Sequence, residues 1–427
     1  MIPHHTLKEV IADQLKRFTN QDPGIPRRID PEQYRNKDRI VVISGVRRSG
    51  KSTFLKQLSL GFPSFLYLNA DDDRLIGAAP EDLASLLFIW EELYPGVRTV
   101  FFDEIQNIPG WERVIRRMHD DGYRIFLTGS NAQMLSSELG THLTGRYVRI
   151  ELFPFGFDEY CTFHQFSWNP SGIHSTSEYA AALRLFSQYI DDGGFPEYLK
   201  DPDPEILQRT FDDILFRDVI ARYGIREIKS FRLLCRYLYS NMTREASLTS
   251  LASVVQMKSP VSLKNWIGYL EDTYLIGTLS PFEYSMKKQL SRNQKYYGID
   301  TALRNAVSFR FSDDHGLLLE NIVWVELRRR GYELYWLKGE NECDFIAFEQ
   351  GKVNMAIQVC WNLSDENRER EFGGLMEACT SFPGSTGYLL TLHQEESPAG
   401  GIRVMPVWKW ILEDKNLIHF RVRNENH

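Results

Sequence analysis

The sequence predicts an α/β chain: a parallel sheet with helices on both faces, then a helical region, then a second, smaller α/β region. Three observations carry this. Apolar strand-like runs near residues 40, 65, 99, 124 and 147 alternate with helical stretches such as Glu81 to Leu93 and Trp111 to Asp120, the pattern of a sheet wrapped by its own crossovers. Three of those runs end in small or acidic polar residues, and ligands of parallel sheets bind at the carboxyl ends of their strands. After Leu152 the pattern changes to aromatic-rich turns (Phe153-Pro154-Phe155-Gly156-Phe157), which predicts a boundary near residue 155.

The 427 residues, 43% hydrophobic, suffice for several cores, and we expect three parts: 1–155, 156–285 and 286–427. A net charge of -7 excludes an overall basic field, so any nucleic-acid contact must come from local patches. The five cysteines are odd in number and form no C-x-x-C, which argues against a disulfide framework and a zinc site and for a reducing, cytoplasmic setting. Met1 to Val10 has no apolar signal core and no run approaches a membrane span, so no membrane partner is expected.

The first strand, Ile40 to Ser44, runs into Gly45-Val46-Arg47-Arg48-Ser49-Gly50-Lys51-Ser52-Thr53 and then a helical stretch. This is G-x-x-x-x-G-K-[ST] in its proper strand-to-helix setting. The glycines let backbone N–H groups from Gly45 through Thr53 converge on phosphate oxygens, aided by the helix dipole. Lys51 would reach the β and γ phosphates of ATP, and the Ser52 hydroxyl would hold Mg²⁺. The strand Thr99 to Asp103 supplies the complementary acids, Asp103 beside the metal and Glu104 to polarise a water. That adjacency suits hydrolysis; a binding-only switch does not require it. A third strand, Arg124 to Gly129, ends in Ser130 and Asn131, which are placed to sense the γ-phosphate or to serve only as a helix cap. Arg146, after a glycine turn in Leu143-Thr144-Gly145-Arg146, is a candidate finger for transition-state charge, within its own chain or across an interface.

In the middle region Ser247 to Val255 reads as a short helix and Ser259-Pro260 as the cap and first turn of a second, with Leu263, Ile267, Leu270 and Tyr274 on one face. An apolar exit into strand-like sequence suggests a helix-turn-helix with a wing. Arg217 to Arg244 holds seven basic residues against Asp218 and Glu227, and Tyr284 to Tyr297 holds Lys287, Lys288, Arg292 and Lys295 with no acid. This suits backbone contact with DNA as well as it suits a protein-packing edge; the second helix exposes too little for base readout. "GGFPEYL", Gly193 to Leu199, marks a break between helical runs.

In the last third, strands at Glu333 to Leu337, Cys343 to Phe348 and Val353 to Val359 follow a helix carrying Glu320 and Glu326. An acid on the helix, Asp344 on one strand and a carboxylate-x-lysine pair on the next would form a metal-dependent nuclease site. Gln358 and Cys360 stand where that carboxylate and lysine belong, which argues for a retained scaffold without cleavage.

Taken together, "GVRRSGKST", "VFFDEIQNIPGWE", "IFLTGSN", "LTGR", "GGFPEYL", "YYGIDTALRNA", "LLLENIVWVEL" and "CDFIAF", from about residue 38 to 360, resemble prokaryotic AAA-superfamily ATPases that carry a C-terminal restriction-nuclease-like domain of unknown function. The resemblance implies an ATP-binding module, a winged-helix linker and a nuclease-like end, with Lys51, Ser52, Asp103 and Glu104 as the carried-over site. The expected activity is Mg²⁺-dependent ATP hydrolysis that repositions the C-terminal domains, on nucleic acid or on a protein partner. The alternatives are a nucleotide-gated binding module and, least in keeping with Gln358 and Cys360, a nuclease.

Overall fold

The structure is a computed structural model and describes residues 2–130, 143, 145–170, 172, 174–257, 259–308, 315–399 and 401–413. It divides into two compact units with the border between Phe153 and Pro154. Among the described residues no helix is long and apolar enough to cross a membrane.

In the first unit, α1 (His4–Asn20), β1 (Ile40–Ser44), α2 (Lys51–Ser59), β2 (Leu66–Asn69), α3 (Pro80–Leu93), β3 (Thr99–Asp103), α4 (Trp111–Asp120), β4 (Arg124–Gly129) and β5 (Tyr147–Glu151) follow in order. The strands form one sheet in the order β2-β3-β4-β1-β5, every pair parallel. β1 is buried along its whole length, as its unbroken Ile-Val-Val-Ile requires of a strand covered on both faces. Helix α1 turns Leu7, Val10 and Ile11 onto a core that includes Leu66, Leu68, Phe102 and Leu127, while its buried Phe18 packs against Phe65, Tyr67 and Phe101. Because β4 lies between β1 and β3, the tips of the three strands stand side by side at one edge.

The second unit begins with α5 (Phe157–Phe163), α6 (Thr176–Asp192) and α7 (Pro204–Asp213). Then come α8 (Ile228–Ser240), β6 (Glu245–Ala246), α9 (Leu248–Val254), α10 (Pro260–Asp272), β7 (Ile276–Leu279) and β8 (Gln294–Gly298). The three strands pair antiparallel in the order β6-β8-β7. Helix α10 starts on the Ser259 cap and Pro260 and buries Leu263, Trp266, Ile267 and Leu270. Next are α11 (Thr301–Val307), α12 (His315–Arg329), β9 (Glu333–Lys338), β10 (Glu342–Glu349), β11 (Lys352–Val359), α13 (Asp365–Ser381), β12 (Thr386–Thr391), β13 (Glu396–Ala399), β14 (Ile402–Pro406) and α14 (Val407–Glu413). Their sheet is mixed, in the order β13-β14-β12-β11-β10-β9, with α13 as the crossover between the parallel pair β11 and β12.

The expected border at 285 falls inside this second unit. The reason is physical: Phe282 N donates to Trp336 O at 2.7 Å and Trp336 N to Ser280 O at 3.2 Å, so the chain after β7 pairs with β9. Phe282 then packs among Tyr335, Phe348 and Phe382. "GGFPEYL" and "YYGIDTALRNA" meet here as well. Asp300 caps α11 through Ala302 N and Leu303 N while its other oxygen accepts from Gly194 N at 2.7 Å. A Cβ on Gly193 would lie 2.2 Å from that carboxylate, and one on Gly194 would lie 2.1 Å from Phe155 O.

Candidate nucleotide site

The loop from Gly45 to Gly50 leaves β1 at the sheet edge where all three polar strand tips lie. Gly45 has φ 152°, and a Cβ there would sit 2.1 Å from the carbonyl oxygen of Leu152 on the neighbouring chain segment. Gly50, at φ 94°, makes the left-handed turn into α2. Lys51 therefore opens a helix whose first N–H groups face the loop. Its ammonium is folded over the loop, 3.2 Å from Gly45 O and 3.1 Å from Val46 O, and lies 3.7 Å from Glu104 Oε1.

Asp103, at the tip of β3, is 2% exposed and receives hydrogen bonds from the hydroxyls of Ser52 and Thr128. Burial, and then the adjacent Glu104, push its carboxyl above the usual carboxylate range, while the two hydroxyls pull the other way. Glu104 takes a left-handed backbone, φ 50° and ψ 41°, unusual for a residue with a side chain. It is held there by its own N–H, which donates to Thr128 Oγ1 at 2.9 Å, and by the Gln106 amide on its carboxylate.

The structure thus brings Lys51, Ser52, Asp103 and Glu104 together. Arg47 and Arg48, half-buried, and the buried Ser49 lie on the loop, and Thr53 is in the first turn of α2. Ser49 and Ser130 are both buried, and their hydroxyls have no hydrogen-bond partner among the described residues. Asn131 lies outside the described residues, as does Thr144.

Arg146 is not brought to the site. It precedes β5, and the register Ile40 to Tyr147 and Ser44 to Glu151 puts it at the amino ends of β1 and β5. The five residues of β5 separate it from the cradle edge by roughly 16 Å at about 3.3 Å per residue. Its guanidinium pairs with Asp120 at the end of α4. The reading in which Arg146 acts on phosphates within its own chain is therefore withdrawn, because parallel pairing fixes the two segments at opposite ends of the sheet.

Sequence reasoning missed Thr128, Gln106 and Tyr67. Tyr67, on β2, stacks on Phe18 with centroids 3.9 Å apart and directs its hydroxyl to Asp103 Oδ2 at 3.3 Å. Burial and then Asp103 raise its phenol well above the ordinary range. Thr128 is one of three small polar candidates in "TGSN", and only strand order tells which one faces Asp103.

In the second unit, Asp344 on β10 stands opposite Gln358 on β11, with Asp344 N donating to Gln358 Oε1 at 3.2 Å. Glu320 approaches the same place from α12, whereas Glu326 pairs with Arg330 at 2.7 Å. The Cys360 thiol turns to Asn362 O, 3.1 Å away, and burial raises its pKa to about 11. Among the described residues no three His, Cys, Asp or Glu side chains are grouped to hold a metal ion.

Residues 37–161 match the family described as AAA domain, and residues 183–314 match a domain of unknown function (DUF8612). The chain is 35% identical, with 95% of each sequence covered, to the uncharacterized protein MJ1544 of Methanocaldococcus jannaschii. The chain belongs to the family of that archaeal protein. Its amino-terminal part is an AAA-superfamily P-loop domain, followed by a distinct domain. The chain is also similar to an uncharacterized protein of Haemophilus influenzae, 28% identical over 89% of this chain and 96% of that one. Among solved structures, the replication initiator DnaA bound to AMPPCP and single-stranded DNA aligns over 56% of this chain and 84% of that one at 16% identity. AMPPCP-bound DnaA from Aquifex aeolicus aligns over the same shares at 13%. The TM-scores, 0.26 and 0.23, are too low to carry an argument.

Proposed function

We propose that the AAA-type unit binds ATP with Mg²⁺ and hydrolyses it. One observation carries this reading: the Lys51 ammonium and the Glu104 carboxylate lie 3.7 Å apart, beside a Ser52 and Asp103 pair linked by a hydrogen bond. Lys51 exchanges its carbonyl partners for phosphate oxygens, a stronger charge-assisted contact. The loop amides and the unpartnered Ser49 and Ser130 hydroxyls offer further donors at the same edge. Ser52 and Asp103 are the donor set suited to magnesium, which when bound would offset phosphate charge. Glu104, released from Lys51 as that ammonium turns to phosphate, accepts hydrogen from the attacking water and orients it.

Lys51→Ala should abolish ATP binding and phosphate release, whereas Glu104→Gln should bind ATP and release phosphate on the order of a hundredfold or more slowly. Normal turnover in Glu104→Gln would refute the base assignment. ATP binding without turnover in the parent chain would favour a nucleotide-gated switch.

Within the second unit, helices α8 to α10 with the β6-β8-β7 sheet support a winged-helix reading. The segment between β7 and β8 exposes Tyr284, Met286 and Leu290, at 89%, 75% and 68%, beside Lys287 and Lys288. That mixture of cations and apolar groups suits sequence-independent contact with duplex DNA. For the carboxyl-terminal sheet we keep the nuclease-like scaffold reading without cleavage, since the position after Gln358-Val359 holds a thiol, bonded to Asn362 O, in place of a lysine.

A further inference from the structure

Lys295 stands on β8, in the small three-stranded sheet, yet its ammonium lies among carboxylates of the helix and sheet that follow. It is 2.6 Å from Glu342 Oε1, 3.3 Å from Glu320 Oε1 and 3.4 Å from Asp344 Oδ1. Lys295 and Asp344 side chains are 5% and 8% exposed, and Glu342, at 42%, stands at the mouth. Glu320, Asp344 and Lys295 each have a further contact. Tyr297, two residues along β8 and on the same face, donates to Glu320 Oε1 at 2.7 Å. Asp344 Oδ2 accepts from Val359 N at 2.9 Å. The Trp336 ring centroid lies 5.5 Å from the ammonium.

Neither half of this arrangement is tenable alone. A buried ammonium without countercharge costs several kcal/mol or loses its proton, and clustered carboxylates without a cation repel one another and take up protons. An ammonium carries three donors on a compact head, matching the three carboxylates that meet here. We propose that Lys295 is the resident cation of this acidic cluster, a lock that ties β8 to α12 and β10 and keeps its acids, which as they stand form no group that could hold a metal ion, from closing on a divalent ion. Burial works against the charged lysine, but Glu320, Asp344 and Glu342 outweigh it and hold Lys295 above its ordinary range. A divalent ion draws oxygens to about 2.0–2.6 Å and cannot share that point with a positive charge. The lock thus links the two sheets of the unit through ionic contacts that no single stretch of sequence contains, and it closes to metal the same acids, Glu320 and Asp344, that the sequence offers as a nuclease pair.

Manganese binding tests this on the full chain, followed by electron paramagnetic resonance without nucleotide and in an Asp103→Asn background that removes the metal-binding carboxylate of the AAA unit. The parent should bind no Mn²⁺ in the second unit. Lys295→Met should gain a site at least about tenfold tighter than anything in the parent, and adding Asp344→Asn should abolish it. Mn²⁺ bound by the parent and lost on Asp344→Asn would overturn the lock, as would a folded Lys295→Met that binds no more than the parent. Should Lys295→Met not fold, removing the acids with the cation, as Lys295→Met with Glu320→Gln and Asp344→Asn, should restore a cooperative melt. Failure of that rescue also refutes the proposal.

Discussion

Removing the Thr128 hydroxyl tests whether the acid pair of the AAA site is held by the strand between β1 and β3. Thr128 is fully buried, donates a hydrogen bond to Asp103 Oδ1 and accepts one from Glu104 N at 2.9 Å. Thr128→Val keeps the shape and deletes both bonds. The stranded Glu104 N–H costs about 1–3 kcal/mol, and the lost donor to a charged carboxylate about 1.5–3 kcal/mol. Some of this is recovered as Glu104 relaxes from its left-handed backbone, and that relaxation removes the carboxylate from the attacking water. A supporting contact of this kind is worth about 10–100-fold in metal affinity or activity. The sign of the pH effect also follows. The Thr128 hydroxyl lowers a carboxyl already raised by burial, so without it Asp103 titrates higher still. The ionised form that can hold magnesium then appears only at higher pH, and the activity profile moves to the alkaline side. Phosphate release measured against magnesium concentration at several pH values reads both effects, with Thr128→Ser as the restoring control. A Thr128→Val chain with the parent's magnesium dependence and pH profile would refute the reasoning.

Gly45→Ala places a methyl 2.1 Å from Leu152 O, so the loop must shift; ATP binding should be lost and the unfolding free energy lowered by about 1–3 kcal/mol, as calorimetry would show. Asp300→Asn turns one acceptor into a donor facing Gly194 N or the α11 cap, which should cost about 1–3 kcal/mol in denaturant unfolding. Burial raises Asp300 to about 6, above its unfolded value near 3.9, so its folded form binds the extra proton between those values. Its contribution is fully present below the lower value and lost as pH rises through the upper one, and Asp300→Asn should erase that slope. Lys287→Glu with Lys288→Glu should weaken binding to duplex DNA and lower the log–log salt slope by about 2; salt-insensitive binding, or none by the parent, counts against the DNA reading.

The cradle was legible because all its requirements fall within one stretch. A run of β-branched residues, glycines at the two left-handed or crowded positions and a lysine at the helix start are neighbours in the chain, and main-chain sterics act over that range. The acid pair at Asp103-Glu104 was legible for the same reason, as the polar end of an apolar strand. The helix and strands around Asp344 and Gln358 were readable from periodicity, and so was their pairing across a short turn.

What needed the tertiary structure was everything that depends on which strands become neighbours. Periodicity reports the faces of an element but not its partner, so nothing in "TGSN" singles out Thr128 until β4 lies between β1 and β3. Arg146, near the cradle in many possible arrangements of the chain, is carried to the far edge by parallel register. Lys295 looked like one more cation in a basic stretch, yet it is buried among acids that follow it by 25, 47 and 49 positions. Local sterics and hydrophobic spacing are written along the chain; burial of charge is decided only when distant segments close on one another.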